Sequence, residues 1–155
     1  MDSLDPFDTL VNEMLEYLNS EPRRGDSKHS KFNQLNPDLR AIYPIWLVDA
    51  EVRNGGFNQY FYNSSGHYAE DAVIGFRHFS MPDHAELVVE AVKVIMNELP
   101  LQKALRVIGT LKAFSESYKF TKLNVLDRKY YQLPDALDKL RLIVNEHPER
   151  FQLRL

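Results

Sequence analysis

The stretch "EVRNGGFNQYFYNSSG", residues 51–66, holds three of the chain's six glycines and four aromatic rings within sixteen positions. A surface loop does not carry so many rings, and a helix interior does not tolerate two adjacent glycines without cost. The stretch therefore reads as an architectural joint or a binding site. Glu51 and Asn54 fall in the last turn of a preceding helix, and Gly55 and Gly56 follow directly. Glycine just past a helix end adopts the left-handed conformation that closes the exposed carbonyls. A second helix then begins at once, with Phe57, Tyr60 and Phe61 on one face and Gln59 and Asn63 four apart on another. Two helices meeting at a glycine corner are the expectation, with the rings wedged between the arms. Glu51, Asn54, Gln59 and Asn63 are expected to converge there and to bond one another and the free backbone groups of the broken helix.

Outward from the corner, the pattern is helical throughout. "NPDLRAIYPIWLVDAEVRN" places Asn36 as a cap with Pro37 behind it. It sets Leu39, Ile42, Tyr43, Trp46, Leu47 and Ala50 on one stripe, with Pro44 expected to kink or split the helix. Towards the N-terminus, Asp5 and Pro6 start a helix whose apolar face is Phe7, Leu10, Val11, Met14, Leu15 and Leu18. The segment 21–35 is polar, basic and without period, and is the best candidate for a mobile loop. Towards the C-terminus, Ser80 and Asp83 read as a cap pair for a helix burying Leu87, Val88, Ala91, Ile95 and Leu99. A stretch beyond Pro100 follows on Leu101, Leu105, Ile108 and Leu111, and a last helix uses Leu133, Leu137, Leu140 and Val144 before Pro148. No alternating strand pattern and no internal repeat is present, so an all-α fold of six to eight helices is expected, forming a single domain over 1–155.

Composition limits the chemistry. The absence of cysteine removes disulfides, thiol nucleophiles and thiolate metal sites. The acidic start and the lack of a long apolar run point to a cytoplasmic protein without a membrane partner. His67, Glu70 and Asp71, with His78 and His84 further on, sketch a metal site but lack a second matching cluster, and Ser115 and Ser117 have no neighbouring base. No catalytic, cofactor or metal residue is assigned. The formal charge of −3 is unevenly spread: residues 1–22 carry six acids and no base, whereas residues 99–131 carry seven bases and two acids. Such a balance does not suggest direct nucleic-acid binding.

The run Trp46, Asp49, Glu51, Val52, Asn54, Gly55, Gly56, Phe57, Gln59, Tyr60, Phe61, Asn63 and Gly66 resembles a bacterial family of domains of unknown function whose best-known member is a DNA-mimic protein. "LNVLDRKYYQLP" followed by "NEHPERF" is similar to a second family pattern, so that the resemblance spans about residues 36–151. It implies an all-helical domain that binds another protein, a DNA-binding regulator in the mimic's case, as an acidic homodimer. The acidic surface available for this is Asp2, Asp5, Asp8, Glu13, Glu16 and Glu21 near the N-terminus, with Asp83, Glu86 and Glu90 further on. The basic 99–131 segment departs from a mimic's composition. Two readings therefore stand open. One is a non-enzymatic interaction module, acting as a mimic-like regulator or as an inhibitor or immunity-type binder of a toxin or effector. The other is a small-molecule or hydrolytic pocket at the corner, lined by Glu51, Asn54, Gln59, Tyr60, Asn63 and His67.

Overall fold

The computed structural model describes residues 5–20 and 27–153, and 85% of the structure is helical. Eight α-helices and two 3-10 turns, and no strand, are found among the described residues: α1 (Pro6–Asn19), α2 (Lys28–Gln34), α3 (Pro37–Tyr62), α4 (Ala69–His78), α5 (Pro82–Ile108), α6 (Leu111–Ser117), α7 (Leu123–Gln132) and α8 (Ala136–Glu146). The all-α expectation holds. Among the described residues no helix is long and apolar enough to cross a membrane.

Capping chemistry starts α1 and α3 where the sequence indicates, and α8 starts at an Asp135 cap after Leu133, which closes α7 instead of joining the last helix. Asp5 accepts from the Phe7 amide at 2.8 Å, Asn36 from Leu39 at 3.0 Å, and Asp135 from Leu137 and Asp138. The expected Ser80–Asp83 cap pair is not formed. Met81 is the cap residue of α5 and makes no side-chain cap bond, and Ser80 instead takes a left-handed φ of 56° in the turn out of α4.

α3 is the spine, packing against α4, α5, α7 and α8. The close approach of α3 and α4 depends on Gly75, where a Cβ would lie 2.7 Å from the Ala41 carbonyl oxygen. Pro44 does not split the helix, because non-helical backbone angles inside α3 are confined to Gly55 and Gly56. One lost backbone bond at Pro44 is offset by the burial of Tyr43, Pro44 and Ile45. The buried set also departs from a simple stripe. Ala50 is exposed, while Ile45, Val48, Asp49 and Val52 are buried, since α3 is covered on several sides.

Two further expectations are corrected. Within the segment read as a loop, residues 28–34 form α2; its seven residues are too few to show a period, and residues 21–26 lie outside the described residues. α2 docks through Phe32 and the buried Lys31, whose Nζ donates to the Ser20 carbonyl at 2.6 Å and the Tyr17 carbonyl at 3.2 Å. A cation thus closes the carbonyl end of α1. Beyond Pro100 the chain continues α5, as expected, but only to Ile108, where Gly109 ends it ahead of Leu111, and the stripe read there is not buried. There Leu101, Ile108 and Leu111 are exposed, while Gln102 is buried.

Candidate functional site

At the corner, Gly55 has φ −153° and ψ 21°, and Gly56 has φ 74° and ψ 178°, so Gly56 is the left-handed residue at which the chain turns. Breaking a helix frees carbonyls on one arm and amides on the other. Three of the groups at the break are met by side chains from downstream. The Tyr131 hydroxyl donates to the Val52 carbonyl at 2.7 Å, and the Tyr118 hydroxyl donates to the Gly55 carbonyl at 2.6 Å. The Phe57 amide donates to the Asp127 carboxylate at 2.7 Å. Burial pushes the Asp127 carboxyl above its ordinary value, partly offset by that amide bond and by Arg128.

The polar residues named from sequence are brought together in part. Glu51 accepts from Gln59 Nε2 at 2.6 Å, from Asn63 Nδ2 at 3.0 Å and from Ser65 Oγ at 3.0 Å. Asn54 is exposed and is not among these donors, and His67 is exposed as well. The buried asparagine is Asn58, which donates to Ser117 Oγ at 2.6 Å and accepts from Gln102 at 3.1 Å, tying α6 and the far half of α5 to the corner. Phe57 and Tyr60 are fully buried, with ring centroids 6.5 Å apart and edge to face; each such ring contributes roughly 1.5–3 kcal/mol by area. Gly66 lies against the Phe61 backbone, where a Cβ would sit 3.1 Å from its Cα. The Tyr60 hydroxyl is buried without a hydrogen-bond partner among the described residues, and burial, then the charges of Asp71 and Glu51, push its pKa up.

A second polar set stands beside the corner. Buried Asp49 accepts from Arg53 Nε at 2.9 Å and from the Tyr130 hydroxyl at 3.0 Å, and Arg53 reaches on to Asp135 at 3.2 Å. His84 is also buried, stacked on Phe76 with centroids 5.2 Å apart. Its Nε2 lies 3.0 Å from the Pro134 carbonyl, which only accepts, so this nitrogen carries the proton and donates. Burial lowers the His84 pKa, and the bond to Pro134 opposes that shift. Asp127, Tyr118, Tyr131, Asn58 and Ser65 all escape a reading by spacing, because none of their partners is a neighbour on the same helix.

The acidic residues fall into two places. Asp2 and Glu21 lie outside the described residues. On α1, Asp5 serves as a cap and Asp8 pairs with Arg141 at 3.1 Å, leaving Glu13 and Glu16 exposed. α1 packs on α2 and α8, whereas the second group belongs to α5. Asp83, Glu86 and Glu90 are exposed and lie three and four residues apart, a spacing that puts them on one face. They line a groove of about 430 Å³ between α5 and α7, together with Leu87, Leu133 and Lys129. Glu86 pairs with Arg77 at 3.0 Å and Glu90 with Lys129 at 3.4 Å, all four side chains being largely exposed. Next to the groove, a smaller pocket of about 150 Å³ is bordered by Asp83, His84, Asp135 and Lys139.

Comparison with known proteins places this architecture. The model of the DMP19-like protein family, named for DNA mimic protein 19, matches residues 33–147, and the chain belongs to that family. No curated protein and no solved structure matches the chain.

Proposed function

We propose that this member of the DMP19-like family is a protein-interaction module that acts by occupying the basic, DNA-binding face of another protein. The observation that carries this reading is the row Asp83, Glu86 and Glu90, exposed along one face of α5 and lining a groove together with Leu87 and Leu133. At 1.5 Å rise per residue these carboxylates stand about 4.5 and 6 Å apart along the helix axis, against about 3.4 Å between phosphates of one DNA strand. Counted as carboxylates alone the row has roughly half to three-quarters of a strand's charge density, which the paired Arg77 and Lys129 reduce until a partner's cations displace them. It suits a partner contact of a few arginines or lysines, with apolar insertion at Leu87 and Leu133 supplying the remainder. Glu13 and Glu16 on α1 form a separate acidic patch that steers approach without sharing this groove.

The glycine corner serves this module as scaffold. Three donors on Glu51, two tyrosine hydroxyls on the free carbonyls and Asp127 on the free amide support that role over a ligand pocket, since Glu51, Gln59 and Asn63 are already engaged with one another, the buried Tyr60 hydroxyl being the exception.

The test is affinity capture from the native cell with the parent chain and with a variant carrying Asp83→Asn, Glu86→Gln and Glu90→Gln. Capture of a DNA-binding protein that is lost with the neutralised variant and displaced by duplex DNA is the expected result. Equal capture by both chains, or capture indifferent to DNA and to salt, would refute the reading.

A further inference from the structure

At the far end of α5 the chain turns back on itself through Gly109, which has a left-handed φ of 63° and joins α5 to α6. Three large aliphatic residues stand at this elbow almost in open solvent: Val107 is 87% exposed, Leu111 86% and Ile108 61%. Leu101, Ala104 and Ile108, three and four residues apart, lead up to it as an exposed stripe on one face of α5. Gln102, turned away from that stripe, is buried and donates to Asn58 at 3.1 Å, so the packed face of this half of α5 is the other one. Single exposed aliphatics are ordinary; several gathered at one turn of the chain mark a contact surface.

Charge narrows the choice of occupant. Residues 99–115 hold three bases, Lys103, Arg106 and Lys112, and no acid, and both lysines are exposed. The nearest acids on either side are engaged: Glu98 accepts from Thr121 Oγ1 and from the Lys122 amide, each at 2.8 Å, and Glu116 pairs with Lys119 at 2.6 Å. The occupant therefore combines an apolar layer with negative charge. At 86–87% exposure Leu111 and Val107 have almost no protein beside them, so the elbow is a protrusion and not a groove. A fluid acyl layer admits a protrusion without a shaped socket, and anionic headgroups supply the negative charge. We propose that the α5–α6 elbow seats the protein on an anionic lipid bilayer, with Val107, Ile108 and Leu111 entering the acyl boundary and Lys103 and Lys112 held at the headgroup phosphates.

The lysine stems suit this depth, because an ammonium snorkels to the phosphates while the aliphatics beside it sit lower. Such a contact is peripheral and needs no spanning segment, and among the described residues no helix provides one. Tip-first insertion also reconciles an anionic surface with the acidic row on α5. Glu90 and Val107 are about 25 Å apart along the helix at 1.5 Å per residue. That is about three times the screening length of about 8 Å at physiological ionic strength, so the row is not repelled. Its groove beside α7 stays open to a partner. Seating on a bilayer does not depend on the function proposed above.

The purified full chain tests this alone, by co-sedimentation with vesicles of phosphatidylglycerol and phosphatidylcholine in varied ratio. The parent is expected to bind increasingly as the phosphatidylglycerol fraction rises, to be released by salt, and to ignore phosphatidylcholine alone. Lys103→Gln with Lys112→Gln is expected to weaken binding roughly tenfold or more, and Val107→Gln with Leu111→Gln by about the same factor. Circular dichroism should remain that of the parent, since every changed residue is exposed. Insertion is read separately from adsorption. In Leu111→Trp, the emission added to that of Trp46 is expected to move to shorter wavelength on vesicles and to be quenched by brominated acyl chains. A parent that stays in solution at every lipid ratio would overturn the proposal. So would elbow variants that bind like the parent, which place the contact elsewhere, or a bound Leu111→Trp chain that escapes acyl-chain quenching, which marks adsorption alone. Vesicles ignored by a parent that holds an acidic protein through these same elbow residues would assign the surface to a protein and end the lipid reading. Failure to find a basic partner by affinity capture leaves all of these measurements standing.

Discussion

The carboxylate of Asp127 occupies the space that a side chain at position 56 would need: a Cβ built on Gly56 collides with both of its oxygens, one of which accepts the Phe57 amide at 2.7 Å. Gly56 is thus required twice, by its φ of 74° and by its neighbour. Gly56→Ala is expected to cost about 2 kcal/mol or more, through backbone strain and displacement of the cap. Gly55 has a φ of −153°, and a Cβ there meets the Gln59 side chain. Gly55→Ala is expected to cost about 1 kcal/mol, by moving Gln59 off Glu51. Parallel thermal melts decide the order, and equal losses would contradict it.

Asp127 separates charge from hydrogen bonding. Its folded-state pKa is raised, mainly by burial, so the contribution of its protonated form to stability is fully present below the ordinary 3.8 and is lost as pH rises through the folded value. At neutral pH the buried charge is therefore a burden. Asp127→Asn, which retains an acceptor for Phe57, is expected to melt at or above the parent at pH 7, whereas Asp127→Ala is expected to lose about 1–3 kcal/mol. Two variants that melt together below the parent would show that the charge itself is needed.

Glu51→Ala leaves Gln59, Asn63 and Ser65 without their common acceptor and is expected to lower stability by about 1–3 kcal/mol. A melt at or above the parent temperature would mark the carboxylate as held for a ligand rather than for the fold.

His84 sets a pH dependence of the other sign. Burial lowers its pKa, so the stability that depends on the neutral ring is fully present above 6.5 and is lost as pH falls through the lower folded-state value. Denaturant midpoints measured downward from pH 7 are expected to fall across this window in the parent and to stay flatter in His84→Gln. Parallel curves for the two chains would remove His84 from the account.

The chain is further expected to unfold as one unit, because α1 is fastened to α8 near the other terminus. Arg141 on α8 pairs with Asp8 and lies over the Phe7 ring. Phe7→Ala should shift a single transition to lower temperature, and two resolved transitions in calorimetry would contradict this.

The residues show where sequence was a sufficient guide. Gly55 and Gly56 announce the break, and Asp5 and Asn36 announce helix starts, because these are local rules of backbone geometry. Asn54 was expected at the polar cluster and Asn58 is the one buried. Asn63 joins Glu51 as expected, whereas Asn58 is buried against Ser117 and Gln102, partners from α6 and α5 that no spacing within α3 could indicate. Leu101, Ile108 and Leu111 keep a helical period yet face solvent, since a period reports an apolar face and not the presence of something to cover it. The acidic row on α5 was legible as charges, whereas the groove beside it needed α7 in place.

The corner's three seals come from 63, 70 and 79 residues further along the chain, at Tyr118, Asp127 and Tyr131. During synthesis the segment around Gly56 therefore leaves the ribosome long before anything exists to close it. Phe57 and Tyr60 remain uncovered and the two arms unfixed until residues beyond 131 have emerged. Stalled or truncated chains ending ahead of α7 expose that aromatic wedge, which makes them substrates for holdase chaperones and for aggregation in a way the finished protein is not.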